Sequence, residues 1–77
     1  MSAQMKGVLF MSFYKRIRDL REDNDLKQSE VAEKLHMQRE VYRRYETGER
    51  EIPLNIAIML ADIYNVSLDY LAGRKDK

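Results

Sequence analysis

The stretch that decides the fold is Lys27-Gln-Ser-Glu-Val-Ala-Glu-Lys-Leu-His-Met-Gln-Arg-Glu-Val-Tyr-Arg-Arg-Tyr-Glu-Thr-Gly48. Val31, Ala32 and Leu35 recur at helical spacing, so the first part reads as a short helix with an apolar inner face, capped by Ser29 or Gln28. His36-Met37-Gln38 breaks the pattern. A second short helix is expected from about Arg39 to Glu46, stopped by Thr47-Gly48. Two short helices joined by a tight turn, with small Ala32 where they would cross, form a helix-turn-helix.

Projecting residues 39–46 at about 100° per residue places Arg39, Glu40, Arg43 and Arg44 within one arc of about 140°. Val41, Tyr42 and Tyr45 share the far side. The apolar face would pack on a core and the charged face would point away from it. That charged face suits base edges in double-stranded DNA. An arginine can donate two hydrogen bonds to guanine, Glu40 can accept from cytosine N4, and Gln38 can pair with adenine or a phosphate. Gln28, at the start of the preceding helix, suits a phosphate.

Outward from this segment the chain continues in short helices. Before it, Phe13, Ile17 and Leu20 form an apolar stripe behind a possible cap at Ser12, and Glu22-Asp23-Asn24-Asp25 reads as a turn. Lys15, Arg16 and Arg18 lie off the stripe and suit either phosphate contacts or a solvated face. After Pro53, residues Leu54 to Tyr64 are apolar around most of a helical circumference, which predicts a helix in the middle of the core. Asn65 ends it, Ser67 caps a last short helix carrying Leu68, Tyr70 and Leu71, and Gly73 stops that one. The expected fold is all-α, five short helices in one domain: an N-terminal extension (1–11), a domain proper (12–73) and a charged tail (74–77).

Composition narrows the field. Seventy-seven residues allow one domain and leave little room for a deep cleft. Cysteine is absent and histidine occurs once, so a disulfide scaffold, a cysteine-ligated metal and a catalytic triad lack their parts. Neither enzyme activity, cofactor, metal nor small-molecule ligand is expected. The net charge is only +1, so attraction to nucleic acid would come from local arrangement. No apolar run reaches the roughly 18 residues of a membrane span, and a cytoplasmic protein is expected.

The sequence resembles the Cro and lambda-repressor (Xre-type) helix-turn-helix domains. The residues that carry the resemblance are Ile17-Arg-Asp-Leu-Arg21, Gln28-Ser-Glu-Val-Ala32, Leu35, Tyr42-Arg-Arg-Tyr-Glu-Thr-Gly48, Leu60-Ala-Asp62 and Val66-Ser-Leu-Asp-Tyr-Leu-Ala-Gly73. The resemblance implies base-facing roles for Arg39, Glu40 and Arg44, base-facing roles shared with the backbone for Gln38 and Arg43, and a phosphate-facing role for Gln28; Ser29, Arg50 and Arg16 are the other phosphate-facing candidates. It implies that Gln28 also braces the second helix, and that Arg21 and Glu46 form a buried structural salt bridge. His36 departs from the family, which usually has glycine there; a left-handed backbone and slight strain are expected at that turn. Glu40 and Glu49 put negative charge near the expected DNA surface, which should weaken non-specific binding and sharpen sequence preference.

The function these readings predict is a sequence-specific DNA-binding transcriptional regulator acting as a dimer on an inverted repeat, with repression the simplest outcome. The dimer surface is expected around Tyr64 to Leu71, with Val8-Leu9-Phe10 as another contributor. The competing reading is a protein-interaction module such as an antitoxin or anti-repressor.

Overall fold

A computed structural model describes residues 15–74. The expected cap at Ser12, the apolar Phe13, the extension 1–11 and most of the charged tail lie outside them. Within them the chain forms five helices and no strand. They are α1 (residues 15–23), α2 (Gln28–Lys34), α3 (Arg39–Thr47), α4 (Leu54–Tyr64) and α5 (Leu68–Leu71).

Every helix contributes to one core. Ile17 of α1, Val31 of α2, Tyr42 of α3, Leu60 of α4 and Leu71 of α5 are all sealed from solvent. Ala32, Leu35, Tyr45, Ile56 and Ala61 complete the buried cluster. Burial of each large apolar side chain contributes on the order of 2 kcal/mol against the chain entropy lost on folding.

The sequence-level stops hold in outline and sharpen in detail. A residue with left-handed backbone follows each helix: Asp25, His36, Gly48, Asn65 and Gly73. Four of these ends share one hydrogen-bond pattern. After α2, for instance, His36 N–H donates to Glu33 O at 3.0 Å and Met37 N–H to Ala32 O at 3.0 Å. This pairing satisfies carbonyls that the helix leaves orphaned and turns the chain sharply into α3. His36 adopts φ 59°, the left-handed conformation expected of that position. Gly48 adopts φ 82° at the end of α3, where a Cβ would crowd the carbonyl that follows.

Three expectations need correction. The cap of α2 is Lys27 rather than Gln28 or Ser29, because the Glu30 carboxylate reaches back to accept from the Lys27 N–H at 2.7 Å. Glu22 and Asp23 belong to α1, and the turn is confined to the residues after them. Finally, α4 is not surrounded by core. It buries Ile56, Ala57, Leu60 and Ala61 but leaves Leu54 66% and Ile58 46% exposed, because no described element covers that side. Ser67 caps α5 as expected, its Oγ accepting from Tyr70 N–H at 3.0 Å.

Candidate nucleic-acid interface

The two faces of α3 behave as the helical projection predicts. Tyr42 and Tyr45 point into the core and Val41 is half-buried, whereas Arg39, Glu40 and Arg44 are exposed and Arg43 is partly so. Gln38, which precedes α3 as its cap residue, is exposed too, so the five expected base-facing residues share one outward-turned segment.

What holds α3 in place is the carboxylate of Glu46, whose side chain is 2% exposed. Four donor contacts converge on it. Arg21 of α1 donates from Nε to Oε2 at 2.6 Å and from Nη2 to Oε1 at 3.2 Å. Gln28 of α2 donates from Nε2 to Oε1 at 3.0 Å, and Tyr42 donates its hydroxyl to Oε2 at 2.5 Å. Arg21 also spends Nη1 on the Leu26 carbonyl at 2.9 Å. One carboxylate thus ties α1 and α2 to α3. Burial on its own would raise the Glu46 pKa, but the hydrogen bonds from Arg21, Tyr42 and Gln28 outweigh it and hold the group below its ordinary value. Burial, with the Glu46 hydrogen bond, pushes the Tyr42 hydroxyl far above the usual phenol range, so it stays a donor. The resemblance had implied the Arg21–Glu46 pair and the bracing by Gln28. The Tyr42 contact was missed, although its spacing of four from Glu46 is a helical neighbour's.

The outward face is less free than a row of solvated arginines. Arg43 donates from Nε and Nη2 to the two oxygens of Glu40 at 3.2 and 2.7 Å, and from Nη1 to Glu49 Oε2 at 3.1 Å. Arg44 Nε lies 3.8 Å from Glu40 Oε2. The Thr47 hydroxyl sits 3.0 Å from Glu49 Oε2 and 3.2 Å from the Arg44 carbonyl, and so donates to one of the two. The Arg43 bonds draw the Glu40 carboxyl below its ordinary pKa; Thr47 and then Arg43 do the same for Glu49. Glu49 had been read as a surface charge that weakens non-specific binding and sharpens sequence preference; its contact with Arg43 was missed, since six residues from Arg43 and across Gly48 is not a helical spacing.

The expected phosphate-facing residues are spread more widely. Ser29 and Arg50 are exposed. The Gln28 amide is engaged with Glu46, and the Arg16 guanidinium stacks 4.3 Å from the centroid of the Tyr70 ring. Leu71, placed on the expected dimer surface, is fully buried inside the domain and drops out of it; Leu68 remains 37% exposed. Among the described residues no group of His, Asp and Glu could hold a metal ion, and no helix is long and apolar enough to cross a membrane.

The sequence profile of the family described as Helix-turn-helix matches residues 17–71, from the first buried residue of α1 to the last of α5. The chain belongs to the Xre-type helix-turn-helix family. This helix-turn-helix chain is 34% identical over 64 residues to the uncharacterized HTH-type transcriptional regulator YobD of Bacillus subtilis, covering 83% of the chain and 57% of that protein. It is 35% identical over 66 residues to the HTH-type transcriptional regulator ImmR of the same organism, covering 86% and 52%. A third relative there, the uncharacterized HTH-type transcriptional regulator YqaE, is 37% identical over 59 residues, covering 77% and 51%. The chain thus spans little more than half the length of these relatives. No solved structure matches it significantly.

Proposed function

We propose that this chain is a sequence-specific DNA-binding domain of transcription regulation, with α3 entering the major groove and α2 lying across the backbone. The observation that carries this reading is the division of α3. Tyr42, Tyr45 and Glu46 are locked inside, which leaves Gln38, Arg39, Glu40, Arg43 and Arg44 as a rigid outward segment with the donors and acceptors that base edges require. The relatives named as transcriptional regulators support it. Arg50, Ser29, Arg16 and the remaining amide hydrogen of Gln28 are proposed as backbone contacts that set register without reading sequence.

One copy of α3 spans few base pairs. Pairing of two copies on an inverted repeat, with half-sites about 34–36 Å apart, doubles the contacts. Among the described residues, Leu54, Ile58 and Leu68 are the large apolar side chains left exposed, and they favour α4 and α5 as the pairing surface over the buried Leu71. Occupying a promoter is then enough to repress it.

The test is selection of bound sites from random double-stranded DNA, followed by titration of the best site against salt. A symmetric site should emerge, and log affinity should fall with log salt at about 0.9 per phosphate contacted. No enriched sequence, or binding indifferent to salt, would count for a domain whose partner is another protein.

A further inference from the structure

The guanidinium of Arg43 is held by two carboxylates, one from within α3 and one from beyond its end. Glu40 takes Nε and Nη2, and Glu49 takes Nη1. Glu49 follows the left-handed Gly48, and its Oε2 lies within hydrogen-bonding reach of the Thr47 hydroxyl. We propose that Glu49 is a positioning residue which, together with Glu40, aims Arg43 at a guanine and so sets base discrimination without itself reading a base. The proposal rests on the DNA-reading role of α3 given above and adds to it a specificity determinant outside the helix.

Donor arithmetic supports a base as the target. A guanidinium carries five N–H donors. Three are occupied, which leaves one on Nη1 and one on Nη2, enough for the two acceptors O6 and N7 that guanine offers in the major groove. Charge supports it as well. Two carboxylates outweigh the charge of Arg43, and with Arg44 3.8 Å from Glu40 the four-residue cluster is neutral. A neutral cluster gains little from a phosphate, so Arg43 is a poor backbone contact and a well-aimed base contact. An arginine with no such tether could swing to the nearest phosphate at any sequence and report nothing.

The experiment uses the full chain and compares wild type with Arg43→Ala, Glu49→Ala and Glu49→Gln. Sites are selected from random double-stranded DNA and single-base variants of the best site are then titrated in competition. Wild type should require guanine at one position per half-site, and Arg43→Ala should lose that requirement. Glu49→Ala should keep the site but let the guanine preference at that position fall by about threefold or more, the scale of freeing one long side chain. Glu49→Gln, which keeps an acceptor for Nη1 but leaves the cluster one charge more positive, should retain more of the preference than Glu49→Ala while binding non-specific DNA more tightly. In the DNA-free protein, NMR of the arginine side chains should find the Arg43 Nη1 group held in wild type and freely rotating in Glu49→Ala, with the Glu40-bound Nε–H ordered in both. An unchanged preference in Glu49→Ala, or an equal loss in both Glu49 variants, overturns the positioning role while leaving α3 a reader. Failure of wild type to enrich any sequence removes the DNA reading itself, and this proposal with it.

Discussion

Replacing Glu46 with alanine should nearly unfold the domain. The carboxylate is 2% exposed and accepts from three different side chains. Its removal strands the Arg21 guanidinium, whose side chain is only 14% exposed, together with the Tyr42 hydroxyl and the Gln28 amide. A buried donor left without a partner costs about 1–3 kcal/mol. Three such groups, relieved where water can reach Arg21, give about 3–5 kcal/mol, the range expected for breaking a buried ion pair from one side. A domain of this size has a total stability of about 5 kcal/mol, so little would remain. The assay is urea unfolding followed by circular dichroism, with Arg21→Ala and the double variant completing a cycle. Since each single variant strands the other's partner, the double variant should lose less than the two singles together. A cost below about 1 kcal/mol for Glu46→Ala, or strict additivity in the cycle, would refute the reasoning. The same carboxylate sets an acid limit. It is held below its ordinary value of 4.5 in the folded chain only, so the unfolded chain takes up the proton first as pH falls. Its contribution is complete above that value and is lost on descent through the lower folded pKa; Glu46→Gln should flatten this part of the stability curve.

Other outcomes follow from single positions. Arg39→Ala and Arg44→Ala should each weaken binding to the selected site by about 1–3 kcal/mol and relax preference at one base, read by competition against single-base variants. His36→Gly should raise stability by up to about 1 kcal/mol, because a non-glycine residue at φ 59° carries a steric cost that glycine avoids; thermal unfolding checks it. Tyr64→Phe should leave stability unchanged or raise it by about 1 kcal/mol, measured by urea unfolding. The Tyr64 hydroxyl is buried with no hydrogen-bond partner among the described residues, and burial pushes its pKa up to about 12.

The sequence was most informative where a period separates two chemistries. In α3 the tyrosines and the arginines fall on opposite faces, and their burial follows that division. The helix stops were legible too, because Gly48, Asn65 and Gly73 tolerate the backbone they adopt. What escaped was set by geometry that periodicity does not carry. The cap of α2 went to Lys27 since Glu30, not the cap side chain, supplies the hydrogen bond. The exposure of Leu54 and Ile58 depends on which neighbours reach α4, and an all-round apolar helix does not disclose that. The Glu49–Arg43 contact crosses a left-handed residue, so no helical template pairs the two.

The inner knot around Glu46 has a consequence for how such a chain can change over time. Because the buried anchors of α3 are Glu46, Tyr42 and Tyr45, its outer residues add no contact to the core, and the bonds of Glu40 and Arg43 run along the outer surface only. If α3 reads DNA as proposed, a lineage can rewrite Gln38, Arg39 and Arg44 singly, and Glu40, Arg43 and Glu49 as a set, to address new operators with the scaffold behind them left intact.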